Sequence, residues 1–269
     1  MSTPDQLLEI LARAQAQHEQ RTKNPNNSAQ KNPHHDLSTN TVTKSNALSR
    51  AYYRFGLVEK RCMEALISKL HPLRSDNVQH IELKATDYAK AFNVSEKHAY
   101  EHLMSATDAL LNRVITIPES ADKIIKMTLT AQAIYEKKIG RITVTFNPLI
   151  VPHLIGLREK FTSYPLKAAT DFSSSYTWRF YELLMSWAKP KQETGGLFMG
   201  WFSVEVAELR EMFGVPESYT WGMFEKRVLH VAEKELREKS HIHLQITRKK
   251  TSRRITHLKI EFIEAKPEA

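Results

Sequence analysis

One order of elements occurs twice in this chain, and it limits the possible fold more than any single segment does. In the first copy TDYAKAF reads as a short helix, NVSEK as a turn and EKHAYEHLMSATDALLNR as a long helix, with Thr86 and Ser95 placed to cap the two helices. VITIP, IIKMTLTAQAIYEKK and RITVTF follow as strands, and EKKIG is the turn between the last two. In the second copy VEVAELREMF is the short helix and GVPESY the turn, with Gly214 and Pro216. TWGMFEKRVLHVAEKELREK is then the long helix, and HIHLQIT and ITHLKIEF form a hairpin. Each copy is preceded by a helix and a strand: GLVEKRCMEALISKL with QHIELKA, then SYTWRFYELLMSWAK with FMGWFSV. A short helix, a turn, a longer helix and a hairpin is the order of a winged helix-turn-helix, and two in tandem make a structural repeat. The predicted class is therefore α+β: two tandem winged helix-turn-helix domains, residues 42–168 and 169–265, behind a flexible leader, residues 1–41.

The leader lacks what a core needs. Residues 4–20 favour helix, with Leu7, Leu8 and Leu11 on one side, but RTKNPNNSAQKNPHHDLSTNT is rich in Asn, Pro, Ser and Thr. Such a segment buries too little apolar surface to offset its ordering entropy. His34 and His35 fall within it and have no third metal ligand nearby, so they read as solvated. The single cysteine, Cys62, sits at an apolar position of its helix pattern and reads as a small core residue. One cysteine excludes an internal disulfide and a cysteine-based zinc site, and no metal or other cofactor is expected. No basic segment followed by an apolar run opens the chain, and no apolar stretch reaches the ~18 residues of a membrane span. The expectation is a soluble cytoplasmic protein without a membrane partner.

Charge is the informative part of the composition. Lys+Arg number 39 against 30 Asp+Glu, a net +9, which points to a polyanionic partner and says nothing of the fold. The excess is not spread evenly. From Lys226 to Lys259 there are eleven Lys+Arg and three Glu, a local net of +8 in 34 residues. On an α-helix advancing about 100° per residue, Phe224, Val228, Val231, Ala232 and Leu236 share one arc, with Leu229 at its edge. Lys226, Arg227, His230, Lys234 and Arg237 share the opposite arc. A merely solvated face would mix signs; one cationic stripe is what a helix in a DNA major groove requires.

The heptapeptide RKKTSRR, Arg248 to Arg254, lies between the strands that follow this helix. In a winged helix that hairpin is the wing, beside the backbone of the same duplex. Arg248, Lys249, Lys250, Arg253 and Arg254 are placed for phosphates or the minor groove, and Thr251 and Ser252 suit a turn and phosphate hydrogen bonds. The first long helix differs. Ala99, Leu103, Ala106 and Leu110 mark its core side, while Lys97, His98, Glu101, His102, Ser105, Asp108 and Arg113 face outward, close to neutral. Lys97, His98, His102 and Arg113 are auxiliary DNA contacts at most, and the apolar strands of this half could equally pair with a second subunit.

Three segments carry a family resemblance: SNALSRAYYRFGLVEKR, FTSYPLKAATDFSSSYTWRFYELLMSW and WGMFEKRVLHVAEKELREKS. Through them the chain resembles the plasmid replication initiators of the iteron-binding Rep class, over about Val42 to Phe262. The resemblance implies two winged-helix domains joined by a helix that packs on both, here Ser175 to Ala188. It implies monomers that bind direct repeats at an origin mainly through the C-terminal domain, and opening of an adjacent AT-rich region. It further implies recruitment of a host initiator ATPase and replicative helicase. Dimers formed through the N-terminal domain would bind an inverted repeat and repress the chain's own gene. By carry-over Lys226, Arg227, His230 and Lys234 meet the major groove.

Two other readings remain. A rolling-circle nicking enzyme would hold a metal with a histidine–apolar–histidine strand, and His241–Ile242–His243 has that form, but no Tyr–Lys helix follows. No G-x-x-x-x-G-K-[ST] occurs, and GGLFMG (Gly195–Gly200) enters a strand rather than cradling phosphate. A winged-helix transcription regulator is the second rival, although two dissimilar winged domains with no ligand domain favour an initiator.

Overall fold

The computed structural model describes residues 36–265 except 72, 74–79 and 121. The helix expected in residues 4–20, most of the leader, and His34 and His35 lie outside the described residues. The chain runs β1 (Thr41–Ser45), α1 (Asn46–Ser49), α2 (Leu57–Ile67), β2 (Ile81–Lys84), α3 (Ala85–Phe92) and α4 (Glu96–Asn112). It continues as β3 (Val114–Ser120), β4 (Lys123–Thr128), β5 (Thr130–Glu136), β6 (Arg141–Phe146) and β7 (Phe161–Pro165). After α5 (Ser175–Trp187) come β8 (Met199–Glu205) and α6 (Val206–Met212). The long helix α7 comprises Trp221–Phe224, a π-helical turn Glu225–Leu229, and His230–Ser240; β9 (Ile242–Thr251) and β10 (Arg254–Glu264) close the chain.

The repeat predicted from element order is present. Two three-stranded antiparallel sheets have the same topology, β2-β6-β5 and β8-β10-β9, and each carries a short helix and a long helix between its first and its remaining strands. The local causes are those the sequence suggested. In β6 alternate residues Ile142, Val144 and Phe146 are buried. In α4 Ala99, Leu103, Ala106 and Leu110 form the core stripe, and the Ser95 hydroxyl accepts from His98 N at 3.3 Å. Asn93 ends α3 in the left-handed conformation that Asn tolerates (φ 49°). Cys62 is buried, and burial pushes its thiol up to about 12.

Two expectations change, and one strand appears that the sequence did not suggest. Thr86 does not cap α3: β2 runs directly into the helix, and Ala85 N donates to Gly140 O at 2.7 Å, so a tertiary bond does the work of the cap. The long apolar run after Asp122 is two strands. It breaks at fully buried Leu129, so that β4 pairs with β3 while β5 pairs with β6. Finally, TVTKS is a strand, β1, paired with β7 in the register Val42↔Tyr164 and Lys44↔Thr162.

That pairing explains a polar strand in a core. Lys44, Lys60, Glu64 and Glu182 are fully buried, and Arg179 nearly so. Glu182 accepts from Lys44 Nζ, Lys60 Nζ (2.7 and 2.8 Å), Arg179 Nη1 (3.0 Å) and Tyr164 OH (2.8 Å). Glu64 accepts from Lys44 and Lys60 at 2.8 and 2.6 Å. Burial alone would raise the Glu182 carboxyl, but Lys44, Lys60 and Arg179 together hold it well below the usual range. Buried charges persist only when paired this completely. The network ties β1, α2 and β7 to α5, where seven consecutive residues, Trp178 to Leu184, are all buried. A helix buried all round lies between two bodies. On its far side Phe180 meets Phe213 edge-on at 5.6 Å, Trp187 stacks on Phe202 at 5.8 Å, and Arg179 Nη2 reaches Met212 O at 3.4 Å. Gly214 completes the junction: its φ is +58°, and a Cβ there would sit 2.4 Å from the Cβ of Arg54.

Candidate nucleic-acid interface

Helix α7 starts at a Thr220 cap, whose hydroxyl accepts from Met223 N at 3.3 Å. Its buried side is Phe224, Val228, Leu229, Ala232 and Leu236. An ideal α-helix puts Leu229 at the margin and Val231 in the core; the structure reverses them, with Leu229 buried and Val231 half-buried. The π turn is the reason. Its i→i+5 bonding takes one more residue into the turn, which rotates everything beyond it. Apolar and basic residues rotate together, so the stripe survives: Lys226, Arg227, His230, Lys234 and Arg237 are all exposed.

Their surroundings differ. Arg227 rests its guanidinium over the Tyr219 ring at 5.4 Å, and Tyr219 O is itself held by Arg210 Nη2 at 2.5 Å. Lys234 and Arg237 face Glu238 and Glu233 one turn away at 4.0 and 3.8 Å, long contacts on an exposed surface and worth little. Glu235, by contrast, points inward. It accepts from Lys239 Nζ at 2.8 Å and from the backbone and hydroxyl of Ser173. Burial opposes ionisation, yet these hydrogen bonds bring its carboxyl down to about 2. The back of α7 is thereby clipped to the segment before α5.

The wing is longer than the heptapeptide suggests. Arg248, Lys249 and Lys250 belong to β9 and Arg254 to β10, leaving only Ser252 and Arg253 as the turn, with Ser252 at φ 58°. All are exposed. Arg248 stands apart. It lies opposite buried Leu258, on the side of the sheet that faces the helix, and donates to Glu225 Oε1 through Nε (3.0 Å) and Nη2 (2.5 Å). Its neighbours Lys249 and Lys250 make no ion pair among the described residues. The histidine–apolar–histidine segment is not a metal strand: His241 is the left-handed C-cap of α7 (φ 53°), and only His243 lies in β9. Among the described residues no cluster of His, Cys, Asp or Glu could hold a metal ion.

In the first domain Lys97 and His98 are exposed on α4. His102 is not fully outward. Its ring stacks with His98 and meets Tyr88 edge-on at 5.9 Å, and burial, then the charges of Arg61 and His98, lower its pKa. Arg113 is engaged by Glu59 at 2.9 and 3.3 Å, and Glu59 also accepts from Gly56 N at the start of α2. Its guanidinium is committed to holding α2 against α4.

Comparison with known proteins now decides the family. Residues 41–185 match the model "Initiator Replication protein, WH1", and residues 205–262 match "Initiator Rep protein, WH2". The chain belongs to the initiator replication protein family. It is 27% identical over 155 residues to a replication initiation protein of Escherichia coli, covering 55% of this chain and 48% of that protein. The chain thus aligns with about half the length of that curated relative. The crystal structure of Pi initiator protein in complex with iteron DNA shares the fold, with a TM-score of 0.66 at 21% identity, over 85% of this chain and 98% of that one. No helix among the described residues is long and apolar enough to cross a membrane.

With the two domains of this initiator family chain placed side by side, residues missed in the sequence become visible. The β5–β6 hairpin occupies the place in the first sheet that β9–β10 occupies in the second. Its turn carries exposed Lys137 and Lys138. The signal was the turn EKKIG, whose two lysines are the counterpart of RKKTSRR.

Proposed function

We propose that this chain initiates replication by binding repeated duplex sites at a plasmid-type origin, using residues 169–265 as its principal DNA-binding domain. What carries the reading is the juxtaposition of α7 and the wing. Five cationic or histidine side chains on the helix and five cations from the wing lie on parts joined directly by the Arg248–Glu225 contact. Membership of the initiator family and the fold shared with a protein crystallised on iteron DNA support it.

In this reading α7 enters the major groove. Arg227, braced by Tyr219, is the best placed for bidentate base contact, with Lys226, His230, Lys234 and Arg237 on bases and phosphates. Lys249, Lys250, Ser252, Arg253 and Arg254 hold the backbone beyond it. Residues 42–168 supply auxiliary contact through Lys97, His98, Lys137 and Lys138, and a monomer–dimer equilibrium. Host initiator ATPase and helicase act on the bound array. The chain works by binding rather than strand cleavage.

Footprinting of the DNA around its own gene tests this. The expected result is protection of several direct repeats, each about two helical turns long, beside an AT-rich stretch. A single protected inverted repeat at a promoter would instead identify a transcription regulator. Tyrosine-dependent nicking of supercoiled DNA with Mg²⁺ would overturn the binding reading.

A further inference from the structure

Among the five cations of the wing heptapeptide, Arg248 alone makes an ion pair among the described residues. Arg248 is held by Glu225, the first residue of the π turn, through two donors on one carboxylate oxygen. The pair is partly accessible: the Arg248 side chain is 44% exposed and that of Glu225 23%. The flanking residues on both sides are cations, Lys226 and Arg227 on the helix and Lys249 and Lys250 on the strand. A carboxylate here places negative charge where phosphates would pass, and this opposes binding to any duplex. It also neutralises an arginine that would otherwise add one more phosphate contact. What the pair supplies in return is geometry. It spans the interval between a groove-entering helix and a backbone-holding wing, 23 residues apart in sequence, and fixes their spacing.

Resting on the DNA-binding reading above, we infer that Glu225 is a specificity-determining residue. It withholds Arg248 from non-specific phosphate contact and locks the wing at the distance at which helix and wing both fit the cognate site. Random DNA gains from a freed cation, whereas the cognate site gains less, because freeing it loosens the spacing that the site requires.

The test uses the full chain and two probes, the duplex segment protected in the footprint and a random-sequence duplex of the same length. Affinities are measured across a salt series for wild type, Glu225→Gln, Arg248→Gln and the double variant. Glu225→Gln is expected to tighten the random duplex about fivefold and steepen its log–log salt slope by about 0.9, the value for one added phosphate contact. The protected segment changes less than about twofold, so discrimination falls. In the Arg248→Gln background the same change at 225 moves discrimination less than about twofold, because there is no arginine to release. Equal effects in both backgrounds overturn the inference, since Glu225 then acts only as a charge. An unchanged salt slope also overturns it. Melting temperatures are recorded in parallel, and a loss of affinity that tracks them on both probes assigns the pair a purely structural role, overturning it as well. A wild-type chain that protects no segment overturns the DNA-binding reading itself, and this inference with it.

Discussion

The two winged domains share a topology but use charge in opposite ways. In the first, and where it meets α5, cations are taken into the core: Lys44, Lys60 and the α5 residue Arg179 surround Glu64 and Glu182 beneath β1 and β7. In the second, cations are left outside, on α7 and the wing, with few carboxylates near enough to neutralise them. The first arrangement fixes architecture, because a buried charge without its partner is intolerable. In the second, apart from Arg248 on Glu225 and Lys239 on Glu235, the cations of α7 and the wing heptapeptide meet carboxylates only at long range or not at all among the described residues, and their charges are available to something else. The same residue types therefore predict a stability phenotype in one domain and a binding phenotype in the other.

The sharpest way to break this contrast is at Glu182. Replacement with Gln preserves shape but leaves Lys44, Lys60 and Arg179 with one carboxylate among them. The expected cost is about 3–5 kcal/mol of unfolding free energy, measured by denaturant titration. A cost below 1 kcal/mol would show that the network is solvated in solution. On the other side, Arg227→Ala removes a braced, exposed guanidinium. It is expected to weaken the cognate site by about 1–3 kcal/mol, with the midpoint of unfolding unchanged. Normal binding by this variant would mean that α7 presents another face.

A third prediction concerns acid. The Glu235 carboxyl is held at about 2 in the folded chain against an ordinary value of 4.5. A depressed carboxylate contributes stability that is complete above 4.5 and is lost as pH falls toward 2. Allowing for partial solvent screening, Glu235→Gln should remove about 1–2 kcal/mol at neutral pH and much less near pH 2. An equal loss at both would assign the effect to packing.

How much of this was legible follows the range of the forces. Both helix-turn-helix units, the α4 core stripe and the exposed cationic stripe are set by contacts three or four residues apart, and periodicity reveals those. β1 was not legible, because TVTKS is buried only by pairing with β7, some 120 residues away. The buried network was invisible for the same reason: Lys60, Tyr164, Arg179 and Glu182 lie in the segments that carried the family resemblance, yet nothing local says that a Lys or a Glu there points inward. The π turn cannot be read from a 100° wheel, and its mark is the exchange of Leu229 for Val231. Arg248 looked like its neighbours in RKKTSRR until the strand register turned it toward Glu225.

Two smaller effects compare the wings directly. Lys249→Ala with Lys250→Ala should weaken all duplexes alike and flatten the log–log salt slope by about two units, since each lysine accounts for roughly one phosphate. The equivalent change in the first domain, Lys137→Ala with Lys138→Ala, should flatten it by less than one. The difference between the two wings is electrostatic rather than topological. The first wing adjoins a helix face whose lysine and histidines are balanced by Glu101 and Asp108, and its turn has two cations where the second has five within seven residues. A weak local field holds phosphates at a distance at which few counterions are released. A slope change of two units from the first wing would show that both domains grip the duplex equally, and the division of labour proposed between them would have to be abandoned.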